Sequence, residues 1–219
     1  MKTYKYFFLL CLLALQSVSF LRAQDTMSQP VDIGSKTSSF TYTNTKNTAN
    51  FNNDYGQGSK DVFYKFTLTQ TMDVKISLCD SEMWDTYVHI LDVNGNLLNE
   101  NDDDWEYEYC SNPMNSYLNM NSLPAGTYYV VSEGFSQNGN ITTTIQGISP
   151  MDVYSQDIGS KASSFSFTDT KNTVNTLNRY NGQESNDVYY KFTLTRPMDV
   201  HISHCGSELL DTYLHLLGE

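Results

Sequence analysis

The sequence predicts an all-β protein, an antiparallel β-sandwich laid down as tandem modules of which the second is incomplete. Three observations carry this reading. With 16 Tyr and 11 Phe among 219 residues, and abundant Thr, Ser and Asn, the composition favours pleated strands joined by turns over long helices. Val62, Tyr64, Phe66 and Leu68 alternate with Phe63, Lys65 and Thr67, the period of two expected of a half-buried strand. Finally, Asp-Ile-Gly-Ser-Lys occurs at residues 32–36 and again at 157–161. The similarity runs on through about 40 identities in some 62 aligned positions, with one residue inserted near Asn181. A period of about 125 residues is the length of a whole domain, so each copy is read as a separate bead.

The elements follow in chain order. Residues 1–23 place Lys2 and Lys5 before the apolar run 6–15 and end on the small Ala23, the form of a secretory signal peptide cleaved before Gln24. An uncleaved anchor is the alternative for this stretch. The run is shorter than the roughly 20 apolar residues a spanning helix needs, and no later stretch competes, so no membrane insertion is expected after cleavage. Residues 24–30 read as a leader, 31–148 as the first sandwich module, 149–152 as a linker and 153–219 as the N-terminal half of a second module. Within the first module, Val74, Ile76 and Leu78 form the strand after 62–68, and a turn at 70–73 makes these two a hairpin. Asn94-Gly95, which tolerates positive φ at both central positions, joins strands at 87–92 and 96–99. Strands at 128–132 and 141–145 complete about seven or eight.

The whole chain carries a net charge of −12. Loss of residues 1–23 removes Lys2, Lys5 and Arg22 and no acid, leaving 10 basic against 25 acidic side chains, or −15. Such a surface repels phosphate backbones, so nucleic acid is excluded as a partner class. Export puts the cysteines where disulfides persist. Cys205 aligns with Cys79, and a counterpart of Cys110 would fall beyond the second copy's matched region. The odd count thus resolves into a Cys79–Cys110 disulfide, with two free buried thiols as the alternative.

Glu100, Asp102, Asp103, Asp104, Glu106 and Glu108 crowd six carboxylates into nine residues. Calcium takes six to eight oxygen ligands, and Asp92, Asn94, Asn101, Asp102, Asp103 and Asp104 supply carboxylate and amide oxygens from adjoining loops. A solvated acidic loop that discourages edge pairing is the competing reading. Trp105, Tyr107 and Tyr109 alternate with acids, so a strand there presents three aromatics on one face; with Trp84 nearby they form the candidate recognition surface, against ordinary sandwich core. Asp85 and Asp211 coincide in the two copies, as do His89 and His215, and both pairs read as structural groups. His201 and His204, three apart on a strand, point to opposite faces and do not share a metal. No nucleophile elbow, phosphate loop or zinc-protease helix occurs, and no enzyme activity is assigned to the chain.

Taken in order, Asp61-Val62-Phe63-Tyr64-Lys65-Phe66, Asp85-Thr86-Tyr87-Val88-His89-Ile90-Leu91-Asp92, Gly95, Asn101-Asp102-Asp103 and Leu123-Pro124-Ala125-Gly126-Thr127-Tyr128-Tyr129-Val130 resemble the bacterial pre-peptidase C-terminal domain. The resemblance covers residues 31–147 and, in part, 153–219. It implies a jelly-roll-like β-sandwich with a non-catalytic role beside secreted peptidases or other surface proteins. In some collagenases such domains bind collagen with calcium, through ligands before the first strand. Residues 32–50 are poor in acids here, so those ligands do not carry over, and the chain has no peptidase domain of its own. The function expected is a secreted or cell-surface accessory module for binding or spacing, a fragment of a larger multidomain protein, with an extracellular protein or glycan as partner and calcium as its one candidate cofactor. The alternatives are the N-terminal region of a secreted peptidase or hydrolase, and a purely structural spacer.

Overall fold

A computed structural model describes residues 26–106, 108–178, 180 and 184–218; the expected signal peptide and Tyr107 lie outside the described residues. Residues 31–148 form two packed sheets. The strands are β1 (Val31–Lys36), β2 (Phe40–Asn47), β3 (Asp61–Leu68), β4 (Met72–Ser77), β5 (Thr86–Leu91), β6 (Leu97–Asn101), β7 (Tyr117–Leu123), β8 (Gly126–Gly134) and β9 (Asn140–Ile148). One sheet has the order β1-β3-β8-β5-β6 and the other β2-β9-β4-β7. All pairings are antiparallel except β1 with β3, which is parallel. The fold is therefore the expected all-β sandwich.

Alternation places the core. Val62, Tyr64, Phe66 and Leu68 of β3 form one core cluster with Val74 and Ile76 of β4 in the opposite sheet, Leu78 just beyond it, Val130 of β8, and Ile141 and Ile145 of β9. Each of these side chains is essentially sealed from solvent, and each contributes roughly 1.5–3 kcal/mol of apolar burial.

One strand relationship differs from expectation. The strands at 62–68 and 74–78 do not form a hairpin: β3 pairs with β1 and β8, whereas β4 pairs with β7 and β9. The turn between them carries the chain across the sandwich, so the two apolar faces look at each other. Alternation is satisfied equally by adjacent and by facing strands, which is why the sequence does not separate the two cases. The same crossing recurs between β8 and β9. The Asn94-Gly95 hairpin does join β5 to β6, with Gly95 at φ +84° and Asp92 accepting from the amides of Asn94 and Asn96.

The outer face of the five-stranded sheet is also covered. Phe63, Leu91 and Val131 pack there beneath Met27 and Tyr55, so residues 51–60 act as a strap. After β9, Ser149 caps a short helix, α1 (Pro150–Tyr154), and Asp152 accepts from the Ser39 amide at 2.7 Å. Residues 149–152 are thus tied to the first sandwich. Beyond α1, β10 (Ser155–Lys161) and β11 (Tyr189–Leu194) pair in parallel, and the other described residues of 153–218 lie outside regular strands.

Candidate functional site

Two groups of side chains stand out, one exposed at an end of the sandwich and one buried under the strap. The exposed group is organised by the Cys79–Cys110 disulfide, whose Cα atoms are 4.9 Å apart. Cys205 is free and exposed. Between β6 and β7, Asp104 is buried and accepts from the amides of Tyr109 at 2.8 Å and Cys110 at 2.6 Å. Asn101 donates to the carbonyls of Asp103 and Tyr117. These contacts curl residues 102–110 into a clamped loop. Among the described residues of 105–109 no strand forms: Trp105 lies in a turn, and the amides of Tyr109 and Cys110 are held by Asp104.

The aromatics are nonetheless outside the core. Trp105 is 65% and Trp84 67% exposed, and Tyr109 stacks on Tyr117 with ring centroids 3.7 Å apart. Trp84 is fixed through its backbone, which accepts from Asn112 at 2.7 Å and donates to Gln137. The Asp103 carboxylate meets the Trp105 side chain, and its charge acts on Asp85, the residue after Trp84. Burial first, then the charges of Asp103 and Asp102, holds the Asp85 carboxyl above the usual range. The result is two indoles on a pinned loop among carboxylates.

The six oxygen-bearing residues named for calcium are divided by the fold. Asp92 and Asn94 belong to the β5–β6 turn, where the Asp92 carboxylate is engaged by Asn94 and Asn96 and held below its ordinary range by those hydrogen bonds. Asn101 and Asp104 clamp the 102–110 loop, while Asp102 and Asp103 face Asp85. Among the described residues no group of three His, Cys, Asp or Glu side chains is gathered for metal ligation. The structure therefore divides these six residues between the β5–β6 turn and the loop after β6, with Asp92 and Asp104 each engaged in local hydrogen bonds.

The buried group was not visible as a group in the sequence. Asp61 opens β3 and Glu133 lies opposite it near the end of β8; both are fully buried. Glu133 Oε1 is 2.8 Å from His89 Nε2, and His89 Nδ1 is 3.0 Å from Glu100 Oε2. The strap closes over them: the amides of Asp54 and Tyr55 donate to Asp61 Oδ2, and that of Gln57 to Glu133. Gly56 has φ +67°, and a Cβ there would lie 2.2 Å from Glu133 Oε1, so only glycine fits. Asp61 Oδ1 lacks a donor and faces Glu133. Burial above all, with the Glu133 charge, raises the Asp61 carboxyl to about 7. His89, read as one structural residue, is the centre of an acid–histidine–acid chain that fastens the strap. Glu133 shares the parity of Val131 and Tyr129 on β8, the one signal in the sequence that could have pointed to an acid on a covered face.

No family model matches the sequence, and no curated protein matches it. Among solved structures the chain is similar to the pre-peptidase C-terminal domain of a collagenase from Bacillus anthracis, at 15% identity over 53% of this chain and 91% of that one, with a TM-score of 0.32. It is also similar to the periplasmic inhibitor of g-type lysozyme, PliG, from Aeromonas hydrophila, at 8% identity over 54% of this chain and 95% of that one, with a TM-score of 0.33.

Proposed function

We propose that the sandwich of residues 31–148 is a non-catalytic module acting at the cell surface or in the surrounding medium, which binds an extracellular protein or glycan through the end carrying Trp84, Trp105 and Tyr109. The observation that supports this most is the exposure of both indoles on backbone fixed by a disulfide and the Asp104 clamp. Burying an indole in a partner is strongly favourable, and a pre-ordered loop loses little entropy on binding. The signal-like residues 1–23 and the disulfide support export. The buried acid–histidine chain supports a non-catalytic reading. His89 has both ring nitrogens committed to carboxylates and lies under the strap, where a substrate would have to displace Tyr55 and Gly56 to reach it.

The test is a panel of immobilised collagens, glycans and matrix proteins probed with the full chain and with Trp84→Ala and Trp105→Ala. Saturable binding to one class, weakened at least tenfold by either substitution, is the expected result. A chain that binds none of the panel, or binds equally well without both indoles, is a spacer.

A further inference from the structure

Among the described residues of 31–148, the exposed aromatic side chains, Trp84, Trp105, Tyr109 and Phe135, all come from three loops at one end of the sandwich. These are the loop after β4 (78–85), the loop between β6 and β7 (102–116) and the loop between β8 and β9 (135–139). They are knitted together. Asn112 and Gln137 hold the Trp84 backbone from two different loops, the Thr86 amide donates to the Met114 carbonyl, and the Phe135 amide donates to that of Asp85. The aromatic side chains therefore stand on one shared framework.

The same three loops carry eight carboxylates and no Lys, Arg or His, and Lys and Arg are absent from residues 76–160 altogether. Asp104 is spent inside, on the amides of Tyr109 and Cys110. No cation of the chain answers the others: the ion pairs of the described residues join Asp32 to Lys65, His89 to Glu100 and Glu133, and Asp169 to Lys171. Burial and then the charge of Asp102 hold the Asp103 carboxyl above its ordinary range, as burial and both neighbours do for Asp85. Like charges gathered beside exposed indoles are relieved by a positive group and repel an anionic one, and a neutral glycan leaves them unanswered. The Asp103 carboxylate at the Trp105 side chain favours arginine in particular. A guanidinium stacks flat on an aromatic face while its N–H fork reaches a carboxylate beside it, whereas a lysine ammonium is a compact point charge.

We propose that this end of the sandwich takes an arginine-bearing segment of an extracellular protein, with guanidinium groups laid on the exposed indoles and paired with Asp85, Asp102 and Asp103. The inference rests on the reading of that end as a recognition surface, and narrows its partner from protein or glycan to a cationic polypeptide. Apolar contact alone does not choose between partners, since any flat apolar group can cover an indole; the carboxylates supply the choice. They also speed the encounter. An end of one sign with no basic residue in its loops steers a cationic segment toward it, and that help fades as salt is added.

The test titrates the full chain by calorimetry with a short capped peptide bearing arginine at alternate positions, with its citrulline and lysine analogues, and with neutral oligosaccharides. Citrulline keeps the shape of arginine and removes its charge. The expected result is binding of the arginine peptide that weakens at least tenfold with citrulline, at least threefold with lysine, and at least threefold between about 50 and 300 mM salt. Trp105→Ala, and Asp85→Asn combined with Asp102→Asn, should each cost at least tenfold with the melting of the sandwich unchanged. Asp157→Asn, which neutralises an exposed acid of β10, should change binding less than twofold. Should the paired substitution lower the melting, the citrulline comparison decides, since it alters the peptide alone. Binding of the citrulline or lysine peptide as tight as that of the arginine peptide overturns the proposal. So does a loss with Asp157→Asn as large as that with the pair, which marks diffuse attraction to a negative chain. Indole-dependent binding of an oligosaccharide without binding of the arginine peptide overturns it and leaves the recognition surface standing. No binding of the arginine peptide at about 100 μM also overturns it, and if nothing in the panel of collagens, glycans and matrix proteins binds either, the recognition surface falls with it.

Discussion

Residues 61–68 and 187–194 differ at a single position, Phe63 against Tyr189, and Thr69 matches Thr195, yet the two segments occupy different environments. In the first copy Phe66 is sealed between β8 and the opposite sheet; in the second, Phe192 is only half-buried. Likewise His89 bridges Glu133 and Glu100, while His215 keeps its tyrosine neighbours and is exposed. The same strand sequence thus becomes core or surface according to which strands lie beside it. Strand propensity reports fitness for a pleated surface, and burial is supplied by neighbours distant in sequence.

Matched substitutions sharpen the contrast. Phe66→Ala should lower the stability of the first sandwich by about 3–5 kcal/mol, and Phe192→Ala should cost less than about 1 kcal/mol, because only the first leaves a closed cavity. Denaturant unfolding of both variants measures the difference. Glu133→Ala should cost about 3 kcal/mol or more, since it strands His89 and the Gln57 amide together; His215→Ala, at the corresponding histidine of the second copy, should change stability by under about 0.5 kcal/mol. Reduction of Cys79–Cys110, which closes a loop with a separation of 31 residues, should cost about 2–4 kcal/mol and release the 102–110 loop, read as a rise in its exchange rate.

The pH response follows from Asp61. Its carboxyl is raised from 3.8 to about 7 in the folded protein, so the folded state binds a proton that the unfolded state has already released. The stability this group contributes is full below about pH 4 and is lost as pH rises through 7. Melting followed from pH 5 to pH 8 should show a decline that Asp61→Asn flattens, because the amide keeps an oxygen for Asp54 and Tyr55 and offers Glu133 a permanent donor. Trp105→Ala has the smallest expected effect on stability, within about 0.5 kcal/mol, and its consequence should appear in binding alone.

Much of the sandwich was legible in the sequence. Alternation gave the strand cores, Asn94-Gly95 gave the β5–β6 turn, and the alignment of Cys205 with Cys79 pointed to the disulfide. What was not legible is which sheet each strand joins. The arrangement of β3 and β4 depends on pairing with β8 and β9, some 60 residues away, and nothing local encodes it. The candidate recognition surface was reached from a spacing that suggested a strand, whereas Trp105 and Tyr109 are exposed on a loop that Asp104 clamps. The strap and its buried acids stayed hidden as a group because Asp61, His89, Glu100 and Glu133 come from four strands that only the fold brings together.

Residue-resolved amide exchange on the full chain tests the central contrast most directly. Amides of β3, β5 and β8 should open only with global unfolding of the first sandwich, while those of 189–194 and 213–217 should exchange through local openings of about 1 kcal/mol or less. Equal protection in the two copies would contradict the account, since it would mean that the strand sequence itself, and not the strands beside it, determines what is buried.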